Sequence, residues 1–228
     1  LFFDNASELR WLFLGGNICT QRDFFDVLYN RAGVRSAIDE CLVNFNTTEA
    51  IRCNYIQSGP DYYCMMNVFN PGGRMAFESI EGNHHQDRGD ADVAEVYILS
   101  QNTRVVPEVI CKTFENMFML FVSSSRVYFL RSTSFENCLN LEILMLNYNF
   151  IASIPDGTFS TTPRLSVMQI VSNRVTEIGN SAFTGSSLNF IDLSDNNIQD
   201  FNRIPFEGVN ATLYSLLLPF NQISSLSE

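Results

Sequence analysis

The chain has 228 residues, of which 46% are hydrophobic and 13% aromatic, so it can bury a sizeable core in one elongated domain. Its net charge of −11 at pH 7 argues against nucleic acid as a partner, because phosphate binding needs a surface of clustered Lys and Arg. Its apolar runs are short and broken by polar residues, which excludes a membrane span within this chain.

The first 50 residues form an N-terminal extension whose pattern differs from the rest of the chain. Apolar residues recur there at roughly helical spacing, with Asp and Arg between them: Phe24, Phe25, Leu28, Ile38, Cys41 and Leu42. The spacing predicts one broken helix, or two helices joined near Gly33. The extension either packs on the segment that follows or forms a separate partner-binding module. Because the chain starts at Leu1 without a charged-then-apolar leader, we expect that a signal peptide has been removed.

Residues 51–92 have the pattern of a disulfide-bonded cap. In AIRCNYIQSGPDYYCMMNVF, two apolar runs flank Gly59-Pro60-Asp61, which predicts a β-hairpin closed by Cys53 and Cys64. Such a hairpin would cover the open end of whatever follows.

The polar loop after this hairpin contains two motifs that suggest binding sites. Arg88-Gly89-Asp90 spells an integrin-binding tripeptide, but three residues match easily by chance, and the sequence alone leaves an adhesion role open. Five potential metal ligands lie close together: His84, His85, Asp87, Asp90 and Asp92. Because adjacent His side chains diverge and no regular spacing joins four ligands, we interpret the segment as a solvated loop without a metal site.

From Val93 onward the sequence repeats a single pattern. LEILMLNYNFIASIP, at residues 141–155, has apolar residues that fit neither a helix nor a simple strand, followed by an Asn. The pattern recurs five more times at steps of 23 to 25 residues, counted along the Asn slot: Gln101, Ser125, Asn149, Asn173, Asn196 and Asn221. Ten residues after four of these slots stands a Phe: Phe135, Phe159, Phe183 and Phe206.

This frame resembles the leucine-rich repeat family in its typical extracellular form, LxxLxLxxNxIxxI followed by a Phe. The resemblance covers residues 93–228 in six units, the last incomplete. It implies an α/β repeat fold: a solenoid with a curved parallel sheet on its concave side, an irregular convex side and an N-terminal disulfide hairpin cap. A unit of this length cannot bury its own apolar face, so neighbouring units must share one core, with the Asn inside and its amide satisfied.

A narrower resemblance comes from the order of the segments before the repeats. The Cys hairpin, EGNHH, an acidic turn, DVAEVYI and VVPEVI look like secreted leucine-rich repeat proteins of insects, particularly flies and mosquitoes. That resemblance, and a likeness to Toll-like ectodomains, implies innate immunity.

Cysteines and glycosylation sequons point to an oxidising compartment. The six cysteines, without a CxxC pair, predict three disulfides between sequence neighbours: Cys19 with Cys41, Cys53 with Cys64, and Cys111 with Cys138. Three sequons predict N-linked glycans at Asn5, Asn46 and Asn210. We therefore expect a secreted glycoprotein.

The frame also predicts a ligand-binding surface. Side chains between the Leu positions of each strand point to the concave face, because strand neighbours alternate sides. The predicted partner-binding residues on this face are Tyr97, Met119, Phe121, Ile143, Met145, Val167, Gln169, Phe190 and Asp192. Large exposed apolar patches mark partner sites or are covered internally, and both alternatives remain open here.

The residues give little support for catalysis. The two His residues are adjacent, the cysteines are predicted to be paired, and no Gly-rich phosphate loop or paired-carboxylate motif occurs, so we predict neither an enzyme nor a cofactor. The sequence predicts a binding protein that contacts an extracellular protein or other ligand, or a second copy of itself. The alternative is a structural or matrix component whose repeats pack into a larger array.

The last repeat would leave apolar side chains in water. We expect further chain after Glu228, or another subunit, to cover Leu216, Leu218, Ile223 and Leu226.

Overall fold

The computed structural model describes residues 11–13, 23–25, 49–68, 77–202 and 204–227. Its strands in chain order are β1 (Trp11–Phe13), β2 (Asp23–Phe25), β3 (Glu49–Ser58), β4 (Asp61–Asn67), β5 (Phe77–Glu81), β6 (Glu95–Leu99), β7 (Met119–Ser123), β8 (Ile143–Met145), β9 (Ser153–Ile154), β10 (Val167–Gln169), β11 (Glu177–Ile178), β12 (Phe190–Asp192), β13 (Asp200–Asn202), β14 (Ser215–Leu217) and β15 (Ser225–Ser227). Helix α1 (Val109–Thr113) and 3₁₀ turns at Asp90–Asp92 and Ile204–Val209 complete the described elements. No helix in these ranges is long and apolar enough to cross a membrane.

A nine-stranded sheet organises the chain, in the order β14-β12-β10-β8-β7-β6-β4-β3-β5. Six of its strands come from the six predicted repeats, and each pairs in parallel with the strand of the next repeat. The central side chain of each inner repeat strand points into the core and is fully buried, as at Leu120, Leu144, Met168 and Ile191. The six-repeat solenoid predicted from the sequence is therefore confirmed.

The predicted Phe residues form a continuous stack inside the solenoid. Phe135, Phe159 and Phe183 are 0% exposed and Phe206 is 7% exposed. The centroids of successive rings lie 5.3, 5.9 and 5.3 Å apart. Each ring packs on the ring of the next repeat, which confirms that one core runs through all the units.

The Asn slot is the polar part of this core. The Asn149 Oδ1 accepts hydrogen bonds from the backbone N–H groups of Ser125 (3.0 Å) and Val127 (3.1 Å). Its Nδ2 donates to the carbonyls of Val122 (2.8 Å) and Leu146 (3.0 Å). The Nδ2 also donates to the Asn147 carbonyl (3.1 Å), so one side chain bonds five backbone groups in two neighbouring turns, as buried polar groups require.

Each Asn slot follows a residue with a left-handed backbone. The six residues directly before the slots have φ between +53° and +59°: Ser100, Ser124, Tyr148, Ser172, Asp195 and Phe220. None of them is Gly, although this region costs an ordinary residue about 1–2 kcal/mol. The hydrogen bonds of the slot side chain to the surrounding backbone stabilise this turn, and the turn in each repeat returns the chain toward the next strand.

The cap hairpin continues the repeat sheet. Strands β3 and β4 pair antiparallel around Gly59, whose φ is +61°, and β4 pairs in parallel with β6. Strand β5 pairs in parallel with β3 and was not predicted from the sequence. The chain then passes so close to β3 that a Cβ on Gly82 would lie 2.5 Å from the carbonyl oxygen of Cys53, so a larger residue would not fit there.

Two of the three predicted disulfides lie in the described residues, and both are confirmed. Cys53 pairs with Cys64, with a Cα–Cα distance of 5.5 Å. Cys111 pairs with Cys138, with a Cα–Cα distance of 4.9 Å, and joins α1 to the following turn on the convex side. The predicted Cys19–Cys41 pair and the sequons at Asn5 and Asn46 lie outside the described residues.

The N-terminal extension differs from its prediction where it is described. Strands β1 and β2 pair antiparallel, so Phe24 and Phe25 lie in a strand where the spacing predicts a helix. Aromatic runs such as Asp23–Phe25 and Trp11–Phe13 have high β-propensity, which outweighs the helical spacing at these positions. The rest of the predicted helix lies outside the described residues.

The Asn hydrogen bonds predict a large stability loss on truncation. Asn149→Ala leaves the buried N–H groups of Ser125 and Val127 without the acceptor they have in the wild type, and we expect the free energy of unfolding to fall by about 3 kcal/mol in urea titrations. Asn140→Ala is the matched control, because Asn140 donates a single exposed hydrogen bond to the Glu115 carbonyl. Equal losses of unfolding free energy for the two variants would show that the hydrogen bonds of the buried Asn have no special role in stabilising the repeats.

The Phe stack predicts a similar contrast. Phe159→Ala removes a fully buried ring and should lower the free energy of unfolding by about 3–5 kcal/mol. Phe129→Ala, at a ring that is 43% exposed, should cost much less. Thermal and urea unfolding of both variants measure the difference, and a small loss for Phe159→Ala would contradict a shared core.

Candidate functional site

The face of the nine-stranded sheet that points away from the core carries two rows of side chains, and we call it the concave face. Strand register aligns the first row as Met65, Tyr97, Phe121, Met145, Gln169, Asp192 and Leu217. It aligns the second row as Tyr63, Glu95, Met119, Ile143, Val167, Phe190 and Ser215. All nine residues predicted to bind a partner lie in these rows, and their binding role remains a prediction.

The cap end of this face is aromatic. The Tyr63 and Tyr97 rings meet edge to face with centroids 5.5 Å apart, and the Tyr97 and Phe121 centroids are 5.9 Å apart. Each of these side chains is partly buried by its neighbours in the sheet. The rings therefore present a firm apolar surface, because their rotamers are held by the rows on either side.

Tyr97 also carries the best-defined polar group at this end. Its hydroxyl donates a hydrogen bond to the Glu95 carboxylate in the neighbouring row. Partial burial, and then the hydrogen bond and negative charge of Glu95, raise the pKa of Tyr97 to about 12. The phenol stays protonated at physiological pH, so the cap end offers a neutral ring with a fixed hydroxyl.

The far end of the concave face combines polar and apolar side chains, because Gln169 and Asp192 lie there beside Phe190 and Leu217. The Asp192 carboxylate accepts hydrogen bonds from the backbone N–H (3.0 Å) and the hydroxyl of Ser194. Asn147 Nδ2 donates to Gln169 Oε1 at 3.1 Å. The face therefore changes along the solenoid from aromatic and Met side chains to a mixture that includes an amide and a carboxylate, so its two ends differ chemically.

Tyr63 and Met65 belong to this surface but were not found from the sequence. They alternate with the inward Tyr62 and Cys64 in DYYCMMN, so the period-2 pattern places them on one face of the hairpin. Which face joins the repeat rows depends on the parallel pairing of β4 with β6, and nothing in the sequence pattern indicates that pairing.

The Arg-Gly-Asp tripeptide has both of its charged side chains occupied within the molecule. The Arg88 guanidinium donates to Gln57 Oε1 and to Asp92 Oδ1, each at 3.2 Å. The Asp90 carboxylate accepts a hydrogen bond from the Tyr55 hydroxyl at 3.1 Å. These contacts give the tripeptide a structural role in holding its loop on the cap hairpin.

His84 belongs to the same network, so the interpretation of a solvated loop is only partly correct. Its Nε2 lies 3.0 Å from Asp90 Oδ1 and its Nδ1 lies 2.9 Å from the Tyr62 hydroxyl. The ring also stacks on Tyr55 at 3.8 Å between centroids, and Tyr62 is only 1% exposed. Burial raises the pKa of the Tyr55 phenol. In the described part of the chain no three His, Cys, Asp or Glu side chains are placed to hold a metal ion.

Comparisons with known proteins agree with this architecture. Residues 105–213 match the family model for the BspA type leucine rich repeat region, with six copies. Fibromodulin of Gallus gallus is 38% identical over 89 residues, which cover 38% of this chain and 22% of that protein. Tsukushi of Xenopus tropicalis is 29% identical over 119 residues, which cover 50% of this chain and 33% of that protein. The chain therefore matches only a minor part of the length of either relative.

One solved structure supports the fold over a longer stretch. The crystal structure of the APL1 leucine-rich repeat domain aligns with a TM-score of 0.60 over 79% of this chain and 44% of that chain. The sequence identity is 16%, so the likeness concerns the fold alone. The repeat strands in register, the buried Asn side chains and the Phe stack give the chain the fold of a leucine-rich repeat solenoid, and the six-copy family match over residues 105–213 agrees with that fold.

Proposed function

We propose that this protein is a secreted, non-enzymatic binding protein that recognises another extracellular protein through its concave face. The observation that carries the proposal is the row Tyr97, Phe121 and Met145, which lies side by side on three successive strands. Aromatic and Met side chains are enriched at the centres of protein interfaces. A row of them on the outward face of a rigid sheet is therefore suited to a protein partner.

The form of the surface supports recognition of a macromolecule. The rows extend from the cap hairpin to β14, so a partner can contact side chains from many repeats at once. Because hydrogen bonds between neighbouring strands fix the backbone of the sheet, little conformational entropy is lost when the partner binds. The aromatic cap end can provide most of the affinity, while Gln169 and Asp192 at the other end can provide orientation.

Two disulfide bonds and an exposed glycosylation sequon among the described residues support secretion. The bridges Cys53–Cys64 and Cys111–Cys138 are typical of an oxidising compartment. Asn210, in a predicted glycosylation sequon, is exposed at the end of the 3₁₀ turn Ile204–Val209 and is accessible to a glycan. The resemblance of the cap and first repeat to insect immune repeat proteins favours innate immunity as the biological setting.

A second candidate function is a structural or matrix role, in which repeats assemble into an array. Strongly exposed aromatic side chains near β14 favour it, because Tyr214 is 94% exposed and Phe220 is 82% exposed. Such rings could pack against a second copy of this chain. The two functions differ in the surface that makes the contact, which is the concave face in recognition of another protein and the rings of Tyr214 and Phe220 in self-association.

The proposal predicts that one substitution on the concave face abolishes partner binding. Phe121→Ser removes the central ring of the row and should reduce the amount of partner retained from native extracellular fluid at least about tenfold. Quantitative mass spectrometry on immobilised protein measures the retention. Because Phe121 lies outside the core, the unfolding midpoint should remain close to that of the wild type.

Leu139→Ser is the matched control, since Leu139 is 57% exposed and lies beside Cys138 on the convex side. Equal retention by wild type and Leu139→Ser, with loss only for Phe121→Ser, supports recognition. Equal retention by all three proteins would contradict it. A sedimentation mass of twice 25.9 kDa or more that falls to the single-chain value in Tyr214→Ser/Phe220→Ser would favour the array instead.

A further inference from the structure

The segments after the Asn slots form a second stack beside the main sheet. The backbone N–H groups of Tyr128, Phe150 and Arg174 donate to carbonyls of the preceding turn at 2.8, 2.8 and 2.9 Å. Val127 directly precedes Tyr128 and Ile151 directly follows Phe150, and both of these side chains point inward and are fully buried. The side chains on either side of them therefore point outward, on a surface distinct from the concave face.

Two aromatic rings lie between two arginines along this outward surface. The Arg104 guanidinium lies 6.0 Å from the centre of the Tyr128 ring. The Tyr128 and Phe150 centroids are 5.1 Å apart, and the Arg174 guanidinium lies 4.4 Å from the centre of the Phe150 ring. We call Arg104, Arg126, Tyr128, Phe150 and Arg174 the arginine flank.

Stacking prepares these guanidinium groups to bind anions. A guanidinium that lies over a ring has its plane fixed, while the N–H groups at its edge remain available for bidentate hydrogen bonds to a carboxylate. Arg126 occupies the same position in its repeat as Phe150 and Arg174 do in theirs, and it is exposed. Neither Arg126 nor Arg174 forms an ion pair with a carboxylate of the described residues.

The flank is a local positive patch on an acidic protein. In the four turn segments 101–106, 125–130, 149–154 and 173–178, the charged side chains are three arginines and Glu177. The whole chain carries a net charge of −11. Asp195 and Asp200 follow in the next repeat, so the positive patch ends there.

The distance between Arg126 and Arg174 indicates which class of ligand could contact both. At a strand spacing of about 4.8 Å, Arg126 and Arg174 are two turns and about 10 Å apart. A peptide in the extended polyproline II conformation has three residues per turn and rises about 3.1 Å per residue, so side chains three residues apart lie on one face about 9 Å apart. A long polyanion such as a sulfated polysaccharide would instead run on to the acidic side chains beyond Arg174, where it would be repelled.

We propose that the arginine flank binds a short, extended, acidic segment of a partner protein, whose carboxylates pair with Arg126 and Arg174. Phe150 fixes the Arg174 guanidinium, and Tyr128 does the same for Arg104 at the cap end of the patch. The site is separate from the concave face and does not depend on the function proposed for that face.

Fluorescence polarisation with a defined peptide tests this site. The probe is a capped, fluorescein-labelled hexapeptide with Glu at its first and fourth positions and Ser or Pro elsewhere, and a peptide with Gln in place of Glu is its uncharged counterpart. The Glu peptide should bind at 25 mM NaCl and weaken several-fold at 150 mM NaCl, because salt screens exposed ion pairs. The variant Arg126→Gln/Arg174→Gln should bind it about tenfold more weakly.

The control variant Lys112→Gln/Arg164→Gln removes the same charge from exposed residues outside the flank and should bind like the wild type. Phe121→Ser should also leave this affinity unchanged, which separates the two surfaces. Equal affinity for the Glu and Gln peptides, or an equal loss in both double variants, would overturn the proposal. So would a heparin tetrasaccharide that competes at lower concentration than the peptide, since that would identify a polysaccharide site.

Discussion

The buried Asn side chain is the interaction on which the rest of the solenoid depends. Each repeat turns through a non-glycine residue with a left-handed backbone, and directly after it the chain enters the core. The Asn amide supplies donors and acceptors to the strand end and to the neighbouring turn, as Asn149, Asn173 and Asn196 do. Where Ser125 replaces Asn, its hydroxyl accepts from Gln101 N and lies within hydrogen-bonding distance of the Ile98 carbonyl. The shorter side chain still bridges two turns.

Because the slot side chains satisfy the buried polar groups of the core, the outward side chains can vary in chemistry from repeat to repeat. The solenoid uses that freedom on two surfaces that share no residue. The concave face has aromatic rings at the cap end and a mixture of polar and apolar side chains toward β14, whereas the arginine flank places two rings between arginines. A partner that contacts both would meet an apolar and a cationic surface around one edge of the solenoid, which is a combination that few unrelated proteins could match.

The sequence pattern predicted the repeats well because equivalent positions in each repeat have the same surroundings. The slot requires a polar side chain that bonds the surrounding backbone, and the position ten residues later requires a ring that stacks on the rings of neighbouring repeats. These two requirements recur at a fixed spacing, and that spacing reveals the fold. The outward positions have no such common requirement, so their residue types differ from repeat to repeat. Arg126, Phe150 and Arg174 occupy one slot yet differ in type, and the pairing of β5 with β3, the place of Tyr63 and the contacts of His84 depend on tertiary neighbours.

The Phe stack has a consequence for the shape of the surface that a partner meets. Successive ring centroids are 5.3 to 5.9 Å apart, whereas neighbouring strands of a sheet are about 4.8 Å apart. The interval between repeats is therefore longer on the ring side than on the strand side, and the solenoid bends toward its strands. Outward side chains such as Phe121 and Met145 therefore line the inside of a curve. A rounded partner would touch more of them at once than a flat one, so the thickness of a buried ring influences which surfaces can dock on the opposite side of the molecule.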